Sequence, residues 1–451
     1  MSDTSETSEA SEVRRKVVDE YSNEFQLKGT ELARGGQGVV FRTTEGDLAV
    51  KQPTDEFGDV LASPNAAVKF RQLIGRIRSL PLPDDCHVAL PVSALKDEPG
   101  YVMRLLGGML PYSHFTMVAE EEKAQEWCDA HPDVAMPDDP DTRCRLVHFL
   151  ASGSFRARYR ALSKCAAELA RLHAAGIVYG DVAPGNVFMK PDQSEVWLID
   201  PDNLRLEKEG GAKPLHTPGY GAPEVTQGLY GGTSSSDAWA FAVMAFESLY
   251  LQHPLVGEAA LSDDEAWDAA DNDFGDDDGE TRAKNGLFPY VDDPDDDSNR
   301  AYGGLPREVF STERLRRLFY RTFGPGRLDP FVRVTAAIWA EAFAREHDRT
   351  LICPKCGMTY DMNFEQCPVC DAPVPAFAAL RYEGKLLVLQ KPEDVSEAEF
   401  DLPERFFAPF SLVGNDRTTH RVKIDFTKRT MNEVRLTRSM PAEPELSFFH
   451  L

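Results

Sequence analysis

The sequence contains no long hydrophobic run and few basic residues relative to acidic ones. In 451 residues the densest apolar run covers 238–246 and stops at Glu247, which is short of the roughly 18 apolar residues of a membrane-spanning helix. Lys and Arg number 49 against 74 Asp and Glu, giving a formal net charge of -25. This imbalance argues against a membrane protein and against a broad basic surface for the phosphates of nucleic acid.

The N-terminus also lacks a recognisable targeting signal. Residues 1–20 have neither the basic start nor the apolar segment of a signal peptide. They are rich in Ser, Thr and Glu, so we expect a disordered tail and a cytoplasmic protein. The Ser and Thr residues of this tail are candidate targets of autophosphorylation.

Hydrophobic residues make up 42% of the chain and aromatic residues 10%, enough for a sizeable core. Residues 25–106 read as short strands with one helix at 66–80, and residues 142–343 show mainly helical periodicity with a strand at 195–199. The stretch 262–299 is strongly acidic, which predicts a solvated insertion.

A glycine-rich turn precedes a strand that contains a lysine. The turn, in LARGGQGVVF, contains Gly35, Gly36 and Gly38, and Lys51 lies on the strand that follows. Glycines let backbone N–H groups approach phosphates, and a lysine on the next strand can pair with the same oxygens. A GxGxxG motif would need a glycine where Ala33 stands, so this signal alone is weak.

A stronger pattern is IVYGDVAPGNVFM, in which Asp181 lies five residues before Asn186. This spacing lets one loop present a carboxylate to an attacking hydroxyl and an amide oxygen to a metal ion. Asp200 lies fourteen residues after Asn186, at the end of the apolar strand VWLID. A carboxylate there is costly unless it is paired or bound to a cation such as Mg²⁺.

The order of these parts resembles the protein-kinase superfamily, over about residues 25–343. The resemblance continues in TPGYGAPE, which contains Thr217 and Glu224, and in Asp237 and Arg333 further along. It implies an α+β, two-lobed protein-kinase-like fold over 21–346, with a small lobe at about 25–106 and a large lobe at about 107–346.

The resemblance also implies residue roles. ATP and Mg²⁺ or Mn²⁺ would lie between the lobes, with Lys51 on the α- and β-phosphates and Asp181 orienting the acceptor hydroxyl. Asn186 and Asp200 would bind the metal. The remaining nucleotide-binding positions are Gly35, Gly36, Gly38, Val40, Ala49 and, in the hinge segment 100–108, Met103.

Several positions depart from the family pattern. Tyr179-Gly180 replaces the usual His-Arg before Asp181, Ala183 replaces a lysine, and Pro201-Asp202 replaces the Phe-Gly that usually follows the metal-binding aspartate. The helix at 66–80 has no acidic residue to pair with Lys51, and Glu56 or Asp59 is the candidate partner.

These departures leave three functions open. The retained residues favour an active enzyme over a pseudokinase or nucleotide-binding scaffold. Gly180 is also found in kinase-like small-molecule phosphotransferases, such as aminoglycoside and choline kinases. Ala222-Pro223-Glu224 and Asp237 favour a protein substrate, and Thr217 favours Ser/Thr acceptors. The resemblance is to divergent bacterial, eukaryotic-like Ser/Thr kinases, and implies a metal-dependent protein phosphatase and a von Willebrand A-like protein as partners.

Two CPxC motifs separated by ten residues contain Cys353, Cys356, Cys367 and Cys370. Four thiolates at this spacing predict a structural Zn²⁺ site, so residues 350–373 read as a zinc ribbon. Lys355 is the one basic residue within it, which favours contact with protein over nucleic acid.

Residues 376–451 contain strand-like runs and read as a β-rich C-terminal module. Its basic residues, including Arg417, Arg421, Arg429 and Arg435, are balanced by acids. Partner or substrate docking and a purely structural appendage remain equal alternatives for this module.

Overall fold

A computed structural model describes residues 15–35, 38–55, 57–207, 216–229, 232–262, 278–407, 418–435 and 440–451. The chain divides into two compact units. The described part of the first unit covers residues 15–82, 88–109 and 199–205, and the second contains the rest. The predicted tail and acidic insertion lie partly outside the described residues, since 1–14 and 263–277 are not described.

The first unit is a six-stranded antiparallel sheet with one helix. The strand order is β1-β2-β3-β4-β6-β5, and the core contains Phe25, Val50 and Val102. The elements are β1 (Lys16–Val18), β2 (Glu24–Gly35), β3 (Gly38–Thr43), β4 (Leu48–Gln52), α1 (Pro64–Arg78), β5 (Ser93–Ala94), β6 (Tyr101–Arg104) and the short 3-10 helix Pro201–Asn203. Residues 16–18, which the sequence analysis assigns to the tail, pair with β2.

Helix α1 confirms the predicted helix at 66–80 to within two residues. Its start is set by Pro64 at the first turn and by Ser63, whose Oγ accepts a hydrogen bond from the Ala66 N–H at 3.4 Å. Ile74 and Ile77 are fully buried, because the apolar residues recur at helical spacing and turn one face of the helix toward the sheet.

The second unit begins with a helical part. Its helices and short strands are β7 (Leu110–Pro111), the 3-10 helix Tyr112–Thr116, α2 (Glu121–Ala130), α3 (Pro140–Ala151), α4 (Ser154–Ala174), β8 (Ile177–Val178), β9 (Val187–Met189), β10 (Val196–Leu198), β11 (Arg205–Leu206, at the boundary), α5 (Pro223–Thr226), α6 (Ser234–Tyr250), α7 (Gly279–Lys284), α8 (Arg307–Phe310), α9 (Glu313–Phe323), α10 (Pro325–Leu328), the 3-10 helix Pro330–Val332 and α11 (Ala336–Asp348).

Helices α4, α6, α9 and α11 supply the core of this part. Trp339 of α11 packs against Phe319 of α9 at 4.9 Å between ring centroids, and Phe246 of α6 lies 5.2 Å from Phe319. Such edge and tilted contacts between buried rings favour a single packing arrangement. The helical core therefore holds the loops between its elements in fixed positions. No helix among the described residues is both long and apolar enough to cross a lipid bilayer.

The C-terminal part of the second unit is β-rich, as predicted. Its elements are β12 (Thr350–Ile352), β13 (Thr359–Asp361), β14 (Phe377–Tyr382), β15 (Lys385–Gln390), β16 (Glu397–Pro403), α12 (Glu404–Phe407), β17 (Thr418–Asp425), β18 (Thr430–Arg435) and β19 (Glu445–Phe449). The sheets β15-β14-β19 and β16-β17-β18 share one core that includes Leu380, Val422 and Ile424. Arg417 lies outside the described residues, and Arg421 pairs with Asp401 across the sheet at 2.6 Å.

A buried ion pair connects this β-rich part to α11. Arg405 of α12 donates two hydrogen bonds to Asp348, and its Nη2 lies 2.6 Å from Asp348 Oδ1. The two side chains are 12% and 7% exposed. Burial alone would raise the pKa of Asp348, but the Arg405 guanidinium outweighs it and lowers this pKa. The pair therefore favours the charged form of this buried carboxylate.

We expect Arg405→Met to loosen the C-terminal part. Removing one partner leaves Asp348 charged and buried, which costs about 3–5 kcal/mol. Native-state hydrogen exchange of β14 and β15 measures the local opening free energy. Lys423→Met is the matched control, because Lys423 and Glu397 form an exposed pair worth about 0–1 kcal/mol. Equal protection in the two variants would contradict a stabilising role for Arg405.

Candidate functional site

Lys51 occupies the middle of the sheet in the first unit. It lies on β4, paired with Val40 on β3 and with Tyr101 on β6, and it is 6% exposed. Its Nζ contacts Asp200 Oδ1 and lies 2.8 Å from Asp202 Oδ2. The structure thus brings Lys51 and Asp200 together, as the predicted shared role on phosphates and metal requires.

The electrostatics of this cluster leave it with excess negative charge. Burial alone would lower the pKa of Lys51, but the nearby Asp200 and Asp202 carboxylates outweigh burial and raise it. Burial, with the neighbouring Asp200 carboxylate, raises the pKa of Asp202 to about 6. Asp202 Oδ1 is buried and has no hydrogen-bond partner in the described part of the chain. Two carboxylates face one ammonium group, so the cluster has an unbalanced negative charge. A divalent metal ion bound to the carboxylate oxygens would balance it.

Asp202 contacts Lys51, although its position in the sequence did not mark it as a candidate site residue. The sequence pattern favours Glu56 or Asp59 as the partner of Lys51. Glu56 lies outside the described residues, and the carboxylates that contact Lys51 are those of Asp200 and Asp202. The signal was present in the sequence, since a second acid follows Asp200 where the family usually has glycine.

Local backbone conformation makes both contacts with Lys51 feasible. Asp200 has φ 57° and ψ 64°, in the left-handed region, and Pro201 starts a short 3-10 helix directly after it. Asp tolerates this conformation better than most residues. The tight turn presents the side chains of residues 200 and 202 to the same lysine.

Strands β2 and β3 flank the glycine-rich sequence, β2 ending at Gly35 and β3 beginning at Gly38. Gly35 and Gly38 face each other across these strands, and Gly36 lies outside the described residues. A Cβ at Gly38 would lie 2.5 Å from the Gln52 carbonyl oxygen, whereas a Cβ at Gly35 would meet nothing within 4 Å. Glycine is therefore required at 38 by close packing on β4. Val40 follows on β3, and Ala49 of β4 pairs with Met103 of β6.

In the second unit, Asp237 holds the loop that contains Asp181. The Asp237 carboxylate accepts hydrogen bonds from the N–H groups of Tyr179 and Gly180, both at 2.8 Å. His173 Nε2 lies 3.0 Å from the same carboxylate. Gly180 has φ +87°, so a residue with a side chain would be strained there. Glycine adopts this backbone conformation without strain.

Asp181 is 5% exposed and both of its carboxylate oxygens accept hydrogen bonds. Asn186 Nδ2 donates to Asp181 Oδ2 at 2.9 Å. The N–H and Oγ1 of Thr217 both donate to Asp181 Oδ1, each at 2.8 Å. These contacts stabilise the ionised form and orient it. The Asn186 amide nitrogen is used for donation, which leaves its amide oxygen to act as a metal ligand.

Glu224 and Arg333 form a buried, two-pronged ion pair. Arg333 Nη1 and Nη2 lie 2.8 and 2.7 Å from the two carboxylate oxygens. The guanidinium also stacks 4.8 Å from the centre of the Trp239 ring. The pair ties α5 to the helical core, so the segment that begins at Thr217 has both ends fixed.

The four predicted cysteine ligands converge on one point. Their Sγ atoms all lie within 4.8 Å of one another, and all four residues are buried. Two of the separations are 3.5 Å, between Cys353 and Cys370, and 3.6 Å, between Cys356 and Cys367. A disulfide needs about 2.05 Å, whereas a tetrahedron with Zn–S of about 2.3 Å gives about 3.8 Å between sulfurs. The geometry fits a structural zinc ion.

The two cysteine turns have the same backbone design. The Cys353 N–H donates to the Met358 carbonyl at 2.8 Å, and the Cys367 N–H donates to the Ala372 carbonyl at 2.8 Å. The residue after each second cysteine, Gly357 or Asp371, has positive φ. This repeated turn points both thiols of each pair toward the same side, as the spacing predicts.

Comparison with known proteins supports this description. A family model described as "protein kinase domain" matches residues 152–272, the segment that contains Asp181, Asn186 and Glu224. No curated protein sequence matches the chain. One similar solved structure is the "ROP18 kinase domain in complex with AMP-PNP and sucrose", with 18% identity and a TM-score of 0.42 over 74% of this chain and 84% of that chain. The family match, together with the sheet unit and the helical unit described above, makes the fold kinase-like. The family match supports kinase-type phosphotransfer.

We expect the purified protein to contain about one zinc ion per chain, because four thiolates fill a closed tetrahedral site. Cys367→Ser should lower the zinc content and the hydrogen-exchange protection of β12 and β13. Cys128→Ser, at a half-buried cysteine outside the cluster, should leave both unchanged. Elemental analysis and exchange measured by mass spectrometry check this. Full protection of both strands after zinc removal would contradict a structural role for the metal.

Proposed function

We propose that the protein is an ATP-dependent Ser/Thr protein kinase that uses Mg²⁺ or Mn²⁺. The observation that carries the proposal is the setting of Asp181, whose buried carboxylate is held by Asn186 and Thr217. Its loop is fixed by Asp237, and all four residues lie within the segment that matches the protein kinase domain. A pre-oriented carboxylate of this kind can accept a proton from a hydroxyl.

The oxygen donors suit the implied cofactors. The Asp200 carboxylate and the Asn186 amide oxygen are ligands of the type that Mg²⁺ prefers. The two carboxylates beside Lys51 also carry an excess negative charge that a metal cation would neutralise. ATP would supply the γ-phosphoryl group, and the metal would neutralise charge on its phosphates.

Each residue then has a distinct task. Lys51 would bind phosphate oxygens of ATP. These anions would take the place of the Asp200 and Asp202 carboxylates that contact its Nζ now. Asp181 would accept the proton of the acceptor hydroxyl as the new O–P bond forms and the bond from the γ-phosphorus to the departing ADP breaks, and Thr217 and Asn186 keep the Asp181 carboxylate aimed. The contact of Thr217 with Asp181 supports the assignment of Ser or Thr acceptors, since the family places a threonine here in Ser/Thr-specific enzymes.

A protein acceptor is supported by the anchoring of α5. Glu224 and Arg333 fix the segment after Thr217, and kinase-like small-molecule phosphotransferases generally lack this segment. The cysteine and β-rich parts would then contribute partner or substrate docking in a cytoplasmic enzyme, and a metal-dependent phosphatase would reverse its reaction.

We expect the wild-type protein to transfer the γ-phosphate of ATP to Ser or Thr, in itself or in a generic protein acceptor. Asp181→Asn should lower the rate at least about 100-fold, the usual contribution of a general base, while ATP binding persists. Asp200→Asn should abolish transfer through loss of the metal ligand. Phosphoamino-acid analysis after incubation with labelled ATP measures both effects.

Asp138→Asn is the matched control, because this carboxylate is exposed and outside the site. If the wild-type protein binds ATP but transfers no phosphate to protein, the kinase assignment fails. A screen of small-molecule acceptors then separates a metabolite phosphotransferase from a nucleotide-binding scaffold.

We also expect Asp202→Asn to weaken the use of ATP. Loss of one of the two carboxylates that position Lys51 should raise KM for ATP about tenfold, equivalent to about 1.4 kcal/mol, with a smaller change in kcat. Asp202→Glu should restore part of the effect. Asp59→Asn, at the exposed alternative partner, should have no effect. The positioning role is wrong if Asp202→Asn and Asp59→Asn give the same KM as wild type.

A further inference from the structure

The residue that precedes helix α4 cannot cap the helix with a side chain. The N-cap position is occupied by Gly153, which has no side chain to accept a hydrogen bond. The first N–H groups of an α-helix have no partner within the helix, and a Ser, Thr, Asp or Asn at the N-cap commonly accepts one of them. The start of α4 therefore depends on a partner from another part of the chain.

That partner is Thr359, which lies in the cysteine part of the chain (residues 350–373). The N–H of Arg156, the third residue of α4, donates to Thr359 Oγ1 at 2.9 Å. An N-cap side chain ordinarily accepts the bond from this position. Thr359 is 3% exposed, so the bond is shielded from water. A threonine 203 positions away in sequence thus takes the place of the missing N-cap side chain.

The first residue of α4, Ser154, is held by the same segment. Ser154 is fully buried and has φ 52°, in the left-handed region that residues with side chains rarely adopt. Its Oγ accepts the Thr359 N–H at 3.2 Å and donates to Met358 Sδ at 3.1 Å. A strained backbone persists only where the surrounding structure holds it. Here Met358 and Thr359 provide the contacts.

Strand β12 also contacts the first turn of α4. Arg156 Nη1 donates to the Thr350 carbonyl at 3.0 Å and lies 3.1 Å from Thr350 Oγ1. Thr350 pairs with Asp361 of β13. Both strands of the cysteine part are therefore fixed to the start of the same helix.

The first pair of metal ligands lies between these two strands. Cys353 and Cys356 are in the turn that follows β12 and precedes β13, and the Cys353 N–H donates to the Met358 carbonyl at 2.8 Å. Thr359 follows this turn directly. In a metal-binding segment too short for a core of its own, metal binding supplies the free energy of folding. Loss of the metal would therefore withdraw the Thr359 hydroxyl from α4.

We propose that the zinc-loaded cysteine part acts as the N-terminal cap of α4, so that zinc occupancy sets the stability of the start of this helix. Thr359 transmits the effect, because it follows the metal-binding turn and accepts the Arg156 N–H. At its other end α4 contains His173, which contacts Asp237. The chain thus has a zinc-responsive element in its helical part. This inference rests on the cysteine site and is independent of the proposed phosphoryl transfer.

Amide hydrogen exchange of the full-length protein tests the role of Thr359. With zinc bound, Thr359→Val should speed exchange in the segment 154–160 at least about fivefold, the usual effect of losing a cap. Its zinc content, from elemental analysis, should equal that of the wild type. Thr359→Ser keeps the hydroxyl and should restore slow exchange. Thr430→Val, at an exposed threonine of β18, is the matched control and should leave this segment unchanged.

Removal of zinc with a chelator under reducing conditions completes the cycle between metal and cap. Zinc loss should speed exchange at 154–160 at least about tenfold in the wild type, and by a factor about threefold smaller in Thr359→Val, where the cap is already lost. Exchange at 239–246 of α6 should stay nearly constant.

Three results would overturn the proposal. They are a purified protein without zinc, unchanged exchange at 154–160 after zinc loss, and wild-type exchange there in zinc-loaded Thr359→Val. If zinc loss also loosens α6, the comparison of zinc-loaded wild type with zinc-loaded Thr359→Val decides, since that comparison leaves the metal in place.

Discussion

The carboxylate of Asp237 is the contact on which the candidate active site depends. It is 2% exposed and accepts the backbone N–H groups of Tyr179 and Gly180. Two charge-assisted hydrogen bonds to adjacent amides fix the backbone directly before Asp181. The direction of the Asp181 side chain is thus set by a residue on α6, a helix that the aromatic core holds in place. Asn186 and Thr217 then fix the carboxylate itself.

The second constraint is the burial of charge around Lys51. A buried lysine needs a carboxylate partner, and α1 has no acidic residue to provide one. The turn after β10 supplies two, at Asp200 and Asp202. Asp202 stands where the family usually has glycine, and it thereby supplies the acidic partner that α1 lacks. The pair of carboxylates also creates the negative field that a metal ion would neutralise.

Local sequence patterns predicted the parts of the site that depend on spacing along the chain. The loop residues Asp181 and Asn186 meet because they are five apart, and the four cysteines converge because each turn is short. The contacts of Lys51 with Asp202 and of Thr217 with Asp181 join residues 151 and 36 positions apart. Such contacts follow from packing rather than from periodicity, so the sequence alone did not predict the Lys51 partner.

The most direct test of this account is the kinetics of Asp237→Asn. In this variant an amide N–H₂ group replaces one of the oxygens that face the N–H groups of residues 179 and 180, so one donor meets another and the loop moves. Misplacement by about 1 Å can cost about 100-fold in rate, so kcat should fall by this order while the affinity for ATP stays within about twofold. A folded Asp237→Asn protein with wild-type kcat would contradict the claim that this contact positions Asp181 for phosphoryl transfer.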